Sequence, residues 1–213
     1  TPSQRATIKY FWVVSALILL QMTLGILTAH YGVEGDGFYG FPLSDWLPYV
    51  VTRTWHVQAG LFWIATAWLA AGLFIGPLVS EHEPKFQRLG VNVLFLALLL
   101  VVVGSFTGEW LSVHNKMSDS VSFNFGHQGY EYVDLGRFWQ IFLFIGLLLW
   151  LVLMFRALLP ALREEQNKSL IILVILASVA IGLLYGAGLS WGQHTHISVM
   201  EYWRWWVVHL WVE

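Results

Sequence analysis

The chain has 213 residues, of which 57% are hydrophobic and only 11% are charged, whereas soluble domains carry about 25% charged residues. This shortage of charge, together with long apolar runs, predicts a membrane protein and excludes an ordinary soluble domain. The formal net charge of −2 gives no reason to expect a nucleic-acid partner. Because the sequence contains no cysteine, disulfides, iron–sulfur clusters and thiolate-bound metals are excluded within it.

Five apolar segments are each long enough for a helix that crosses a lipid bilayer, which takes about 20 residues. They run from about Ile8 to Ala29, Trp55 to Val79, Val91 to Leu111, Phe138 to Leu159 and Leu170 to Leu189. A sixth begins near Ser198 and is cut at Glu213, before it is long enough to cross. The sequence therefore predicts an all-α polytopic transmembrane helix bundle. Residues 1–213 are expected to form a single membrane domain segment of a longer polypeptide, with the helix bundle continuing beyond residue 213.

The first connection, from Gly32 to Pro48, is rich in glycine, proline and acidic residues, which is typical of a surface loop. Within it, Ser44 or Asp45 is predicted to cap the second spanning helix, so that Pro48 falls in the first helical turn, where proline is tolerated. This start would place His56 about two turns inside the helix.

The positions of the basic residues predict the orientation of the chain in the membrane. Seven of the 11 lysines and arginines lie at the helix ends on the same side as Thr1, and four lie on the opposite side. Because positive charge is concentrated on the cytoplasmic side, the Thr1 end is expected to be cytoplasmic and the long loops external.

His56 is a candidate functional residue because a histidine in an apolar helix is costly without a partner. Ala59 and Gly60, three and four residues further on, leave the same helix face nearly bare, which would give room to a flat porphyrin. Neutral imidazole is a common axial ligand of haem iron. The alternative is that His56 forms a hydrogen bond to a neighbouring helix.

His209 and Glu213 are four residues apart and therefore share one face of the sixth helix. Imidazole suits iron, copper or zinc, and a carboxylate favours iron over cuprous copper. One histidine and one glutamate cannot complete a metal coordination sphere, so further ligands must come from outside the segment. The alternative is a polar contact between helices.

His30, Glu34 and Phe38 follow the outer end of the first span. Their spacing would align them only if the helix continued, and Gly32, Gly35 and Gly37 argue against that. As loop residues, a histidine and a carboxylate can hydrogen-bond the hydroxyls of a quinol and accept its protons, with Phe38 against the ring. The alternative is a solvated loop.

A second set of polar residues lies in the outer loop between the third and fourth spans. It comprises His127, Glu131 and Asp134. The carboxylates suit calcium, or acceptance of hydrogen bonds from propionic groups. The alternative is that they are ordinary surface acids.

Five motifs distributed along the chain are distinctive: LTAHY (27–31), VTRTWH (51–56), GHQGYEY (126–132), LGRFWQ (135–140) and MEYWRWWVVHLWVE (200–213). Through these motifs the chain resembles the quinol-dependent nitric oxide reductases, which belong to the haem–copper oxidase superfamily. The resemblance covers nearly the whole chain, and its most specific part contains His209 and Glu213.

The resemblance implies an enzyme that converts two NO, two electrons and two protons into N2O and water. Electrons would pass from quinol to a low-spin haem b, and then to a high-spin haem b3 that faces a non-haem iron. The bacterial or archaeal cytoplasmic (inner) membrane is the implied location, with lipid, quinol and the remaining helices of the same enzyme as partners.

The resemblance also implies roles for individual residues. His56 would be an axial ligand of the low-spin haem b, and His209 one of three histidines on the non-haem iron, with Glu213 as its carboxylate ligand. The other residues with implied roles are His30, Glu34 and Phe38 at a quinol site, and Glu131 near the haem propionates and a bound calcium. The remaining ligands are expected on later helices, so the segment is not expected to be active alone.

Two alternatives remain. An oxygen-reducing haem–copper oxidase is the first, although many of those enzymes carry a tyrosine where this chain has Glu213. A non-catalytic membrane subunit or transporter half, without haem, is the second. An NO-dismutating relative is disfavoured by the intact His209, Glu213 and quinol loop.

Overall fold

The computed structural model describes residues 1–128, 135–163 and 168–212, and of residues 208–212 it describes the backbone alone. These parts of the chain are helical, with one isolated β-bridge, between His127 and Leu135. The α-helices are α1 (Pro2–Glu34), α2 (Leu43–Trp46), α3 (Tyr49–Val79), α4 (Gln87–Val113), α5 (Asp119–Phe125), α6 (Arg137–Leu158), α7 (Lys168–Ala187) and α8 (Ile197–Val212), with a short 3₁₀ helix at Ala161–Arg163. The predicted all-α fold is confirmed.

Five of these helices, α1, α3, α4, α6 and α7, are long and apolar enough to cross a membrane. Each coincides with one of the five predicted spans. The helices α1 and α3 extend beyond their apolar stretches, so more polar side chains lie on their outer turns than the apolar pattern indicates.

The predicted cap of the second spanning helix is wrong, although the helix does begin before its apolar part and does place His56 about two turns inside it. Ser44 and Asp45 lie inside the separate short helix α2, which has no side-chain cap, and α3 begins at Tyr49. Proline disfavours helical dihedrals in the residue before it, and Leu47 accordingly has φ −121° and ψ 74°. Pro48 therefore separates α2 from α3.

The predicted end of the first spanning helix is also wrong. The helix α1 continues through Gly32 and ends at Glu34. Gly35 follows with φ +89°, the left-handed conformation that commonly closes a helix and that glycine adopts without strain. His30 and Glu34 consequently lie in helical turns rather than in a loop.

The packing of the chain divides it into two units. The first comprises Thr1–Ile8, Leu69–Leu99 and Gln140–Glu213, and the second comprises Lys9–Trp68 and Leu100–Trp139.

In the first unit, a buried tryptophan of α6 packs on a glycine of α3. A Cβ atom at Gly72 would lie 2.7 Å from Cζ2 of Trp150, and Trp150 donates its indole hydrogen to the carbonyl of Leu69 at 3.1 Å. Gln87 of α4 donates its side-chain amide to the carbonyl of Leu153 at 3.1 Å. Small residues and polar side chains are the usual means of joining helices inside a bilayer.

In the second unit, the short helices α2 and α5 dock on α4. The carbonyl of Phe125, at the end of α5, would contact a Cβ atom at Gly108, so a glycine at this position lets the backbone approach α4. Trp139 donates to the same carbonyl at 2.9 Å. Trp110 of α4 donates to the carbonyl of Trp46 at 2.7 Å. These contacts hold α2 and α5 against the C-terminal turns of α4.

Candidate functional site

The imidazole of His56 is oriented by a backbone carbonyl. Its Nδ1 lies 2.8 Å from the carbonyl oxygen of Gln21 in α1. Because a carbonyl oxygen only accepts hydrogen bonds, Nδ1 carries the hydrogen and donates it. In the neutral ring the lone pair then lies on Nε2, which is the arrangement needed in an imidazole that binds a metal.

A glycine of α1 gives the ring of His56 its space. A Cβ atom at Gly25 would lie 2.8 Å from Cε1 of His56 and 3.0 Å from Nδ1. Cβ atoms in proteins essentially never approach other heavy atoms closer than 3.0 Å. Glycine at position 25 therefore allows the imidazole to reach the α1 backbone.

The space beside Gly60 is used for helix packing. A Cβ atom there would lie 2.6 Å from Nε2 of the Gln21 side chain, and Oε1 of Gln21 accepts a hydrogen bond from Trp63 at 2.7 Å. The side chain of Gln21 therefore fills this space, so the structure does not support the argument that Gly60 leaves room for a porphyrin.

On its other side, α3 is held by α4 through a buried polar pair. Gln58 donates its side-chain amide to Oε1 of Glu109, and each of these residues is only 2% exposed. Nearby, the rings of Trp55 and Phe106 are stacked, with centroids 5.2 Å apart. Sequence reasoning missed Glu109, although a carboxylate at the end of an apolar span is itself an indication of function.

The environment of His56 fits a haem ligand by its donor chemistry. An axial haem ligand is an imidazole that presents one unprotonated nitrogen, while its other nitrogen is fixed by a hydrogen bond. The Gln21 carbonyl supplies that hydrogen bond, and Nε2 forms no hydrogen bond with any described residue.

The predicted quinol residues come together at the C-terminal end of α1. Nδ1 of His30 lies 3.1 Å from Oε2 of Glu34, and their side chains are 35% and 43% exposed. Phe38 stacks face to face on the imidazole, with ring centroids 4.0 Å apart and planes 9° apart. The continued helix places Glu34 one turn after His30, and the turn that follows folds Phe38 back onto the ring.

The structure does not describe the side chains of the predicted calcium and non-haem iron ligands. Glu131, Asp134 and Glu213 lie outside the described residues, and His209 lies in α8 where the backbone alone is described. In the described part of the chain, no three His, Cys, Asp or Glu side chains converge as a metal site. The calcium and non-haem iron assignments therefore stay predictions.

His127 precedes these residues and is described. Burial lowers the pKa of His127 below its usual value. The buried ring therefore favours its neutral form. Gln128 donates its side-chain amide to the carbonyl of Leu135 at 2.7 Å, and the amide of Gly136 donates to the carbonyl of Gly126 at 2.8 Å. These hydrogen bonds join the two ends of the loop.

Comparison with known proteins gives the family of the chain. Residues 5–213 match the family described as cytochrome c and quinol oxidase polypeptide I. The chain is also similar to a nitric oxide reductase subunit of Stutzerimonas stutzeri, with 21% identity over 214 residues. That match covers 99% of this chain and 42% of the relative, so the chain spans less than half the relative's length. With its family match covering almost every residue, the chain belongs to the haem–copper oxidase family of cytochrome c and quinol oxidase polypeptide I.

Proposed function

We propose that this chain is part of a membrane nitric oxide reductase that oxidises quinol and reduces two NO molecules to N2O and water. The similarity to a nitric oxide reductase subunit supports the reaction. The structural observation that carries the proposal is that one packing unit contains both an oriented imidazole, at His56, and a histidine–carboxylate pair, at His30 and Glu34.

The proposal assigns cofactor ligands to named residues. His56 would hold the low-spin haem b through Nε2, and His209 with Glu213 would hold the non-haem iron. Glu131 would contribute to a calcium site, while the ligand of the high-spin haem b3 would come from the remaining helices. When bound, the haem groups supply one-electron transfer and the non-haem iron supplies a site for NO.

The pair of His30 and Glu34 supplies the proton acceptor that quinol oxidation needs. Each quinol that becomes quinone releases two electrons and two protons. Since a carboxylate only accepts hydrogen bonds, Nδ1 of His30 donates to Glu34, and Nε2 is left to take the proton of a quinol hydroxyl. The carboxylate stabilises the imidazolium that results. Both side chains are partly exposed, so each proton passes to water before the next is accepted.

The same geometry also serves a second candidate function, an oxygen-reducing quinol oxidase. The family description favours it, because that description names quinol oxidases. The sequence favours NO, because Glu213 occupies the place of the tyrosine that many oxygen-reducing members carry, and a carboxylate favours iron over copper.

Three measurements on the purified holoenzyme test the proposal. We expect haem b bands in the reduced-minus-oxidised visible spectrum, iron without copper by metal analysis, and quinol-driven consumption of NO under anaerobic conditions. A spectrum without haem b would overturn both candidate functions, and copper with oxygen consumption would overturn NO reduction in favour of the oxidase.

A site-level variant tests the haem assignment separately. His56→Ala should remove the low-spin haem b bands, while His114→Ala, which changes a histidine beyond the end of α4, should retain them. A normal low-spin spectrum in His56→Ala would show that this residue is not the ligand.

A further inference from the structure

We propose that Tyr39 and Tyr31 are further quinol-binding residues, whose hydroxyl groups hydrogen-bond the ring oxygens of a quinol or quinone head group held at His30. This inference rests on the proposed function, and it adds two residues to the His30, Glu34 and Phe38 set.

The first observation is that both hydroxyl groups are buried without a hydrogen-bond partner among the described residues. Tyr31 is only 5% exposed, and Tyr39 is half-buried as a residue although its hydroxyl oxygen is covered. Buried hydroxyl groups are nearly always hydrogen-bonded in proteins, because leaving one unsatisfied costs the desolvation of the group. Two such hydroxyls on rings whose centroids are 6.0 Å apart therefore indicate a ligand that supplies the missing partner.

The second observation is that the tyrosines belong to the same aromatic cluster as the predicted quinol residues. The ring centroid of Tyr39 lies 5.9 Å from that of His30, 5.0 Å from that of Phe38 and 6.0 Å from that of Tyr31. All three pairs are close to perpendicular, with interplanar angles of 78°, 86° and 86°. Tyr39 therefore lies edge-on to the stacked pair of His30 and Phe38 and connects Tyr31 to it.

The third observation concerns how a head group gains access to these hydroxyls. Phe38 lies on the face of His30 and is 44% exposed. It is carried by a short segment between Gly35, with φ +89°, and Gly40, with φ +73°. A quinone ring is flat and of similar size to the phenyl ring. We infer that rotation of the exposed Phe38 side chain admits the quinone ring, so that one quinone oxygen meets Nε2 of His30 in the plane of the imidazole while Tyr39 stays in place.

The chemistry of the head group matches this set of side chains. A para-quinone carries two carbonyl oxygens at opposite edges of its ring, and each accepts hydrogen bonds. His30 would serve the oxygen at one edge, and the tyrosine hydroxyls would donate to the oxygen at the other. With a quinol, each tyrosine can donate to or accept from the ring hydroxyl. The site would then select ligands with two oxygens over ligands with one.

A ligand-binding role and a structural role for the hydroxyls predict different effects of their removal. If a hydroxyl supported the fold, its loss would lower the melting temperature. Because neither hydroxyl has a partner in the described residues, Tyr39→Phe and Tyr31→Phe should leave the melting temperature of the quinone-free holoenzyme unchanged or raise it.

The experiment measures the Kd of decylubiquinone for the purified holoenzyme and for three variants. Tyr39→Phe and Tyr31→Phe each remove one hydroxyl and keep the ring. Tyr202→Phe is the control, because Tyr202 lies in α8 and is 57% exposed. We expect Kd to rise about five- to tenfold in each of the first two, as the loss of one hydrogen bond implies, and to stay unchanged in Tyr202→Phe. The low-spin haem spectrum should be the same in all four proteins.

The outcomes separate this inference from the function on which it rests. If the unaltered holoenzyme does not bind decylubiquinone, the proposed quinol function fails and the inference fails with it. If it binds, but Tyr39→Phe and Tyr31→Phe bind equally well, only the inference is overturned. A lower melting temperature in both variants without quinone would also overturn it, since the hydroxyls would then be structural.

Discussion

Substitution of Gly25 by alanine should displace the imidazole of His56 and weaken haem binding. The added Cβ would lie 2.8 Å from Cε1 and 3.0 Å from Nδ1 of His56, so either the ring or the helix has to move. Movement of the ring lengthens the 2.8 Å hydrogen bond to the carbonyl of Gln21. The nitrogen that would face the iron then loses its fixed orientation.

The size of the effect follows from three contributions. Overpacking of a well-packed site costs about 1 to 3 kcal/mol, and loss of the hydrogen bond costs about 0.5 to 1.5 kcal/mol. Replacing glycine by alanine inside a helix returns about 1 kcal/mol. Gly25→Ala should therefore destabilise the holoenzyme by about 0.5 to 3.5 kcal/mol.

The assay is the low-spin haem content per protein, from the reduced-minus-oxidised spectrum, together with the melting temperature. Gly146→Ala is the matched control, because a Cβ at Gly146 of α6 would meet only Cδ1 of Leu94, at an ordinary 3.7 Å. The control should keep its haem and gain slightly in stability from helix propensity. Full haem content and an unchanged melting temperature in Gly25→Ala would refute the described position of His56.

Three further predictions address other parts of the site. Glu34→Gln removes the charge that stabilises the protonated His30. Quinol-driven turnover should therefore fall roughly 10- to 100-fold, which corresponds to the loss of a charged hydrogen bond, while turnover with an artificial electron donor stays unchanged. Equal losses with both donors would contradict this role. Glu109→Leu should lower the free energy of unfolding by roughly 1 to 3 kcal/mol, because the amide of Gln58 loses the Glu109 oxygen as an acceptor. Glu109→Gln keeps an acceptor oxygen and should lower it less. Equal melting temperatures in the two variants would count against the buried pair. Because burial lowers the pKa of His127, unfolding lets the ring take up a proton below about pH 6.5 that the buried ring resists, so stability is lost as the pH falls below that value. The protection factor of the Gly136 amide against hydrogen exchange, which is corrected for the intrinsic exchange rate, should therefore fall as the pH is lowered from about 7 to about 5.5, and His127→Gln should abolish this change.

The spanning helices could be predicted from the sequence because a helix that crosses a bilayer needs about 20 consecutive apolar residues, and runs of that length are easily recognised. The short helix α2 could not be predicted in this way, because Leu43–Trp46 has only four residues and is too short to show a helical period. Gly32 was interpreted as the start of a loop, yet the helix passes through it and ends at Glu34, just before Gly35. Several glycines close together leave open which one adopts the left-handed conformation.

The partners of the site residues were harder to predict than the residues themselves. His56 stood out as a histidine in an apolar helix, but its partner is a backbone carbonyl, which every residue has and no sequence pattern marks. Gln21 and Gly25 are distant from His56 in the sequence, and only the packing of α1 on α3 brings them together. Tyr39 has no distinguishing sequence feature because tyrosine is common at membrane surfaces, and only its unsatisfied hydroxyl sets it apart in the structure.

The most direct test of the proposed function is whether quinol delivers electrons to haem by way of His30. Anaerobic rapid mixing of the holoenzyme with decylubiquinol, without NO, should reduce the low-spin haem b within the time of one turnover. In His30→Ala the same step should be at least about tenfold slower, as the loss of a general base implies, while dithionite reduces both proteins equally. Reduction by decylubiquinol at the same rate in His30→Ala would contradict the central claim.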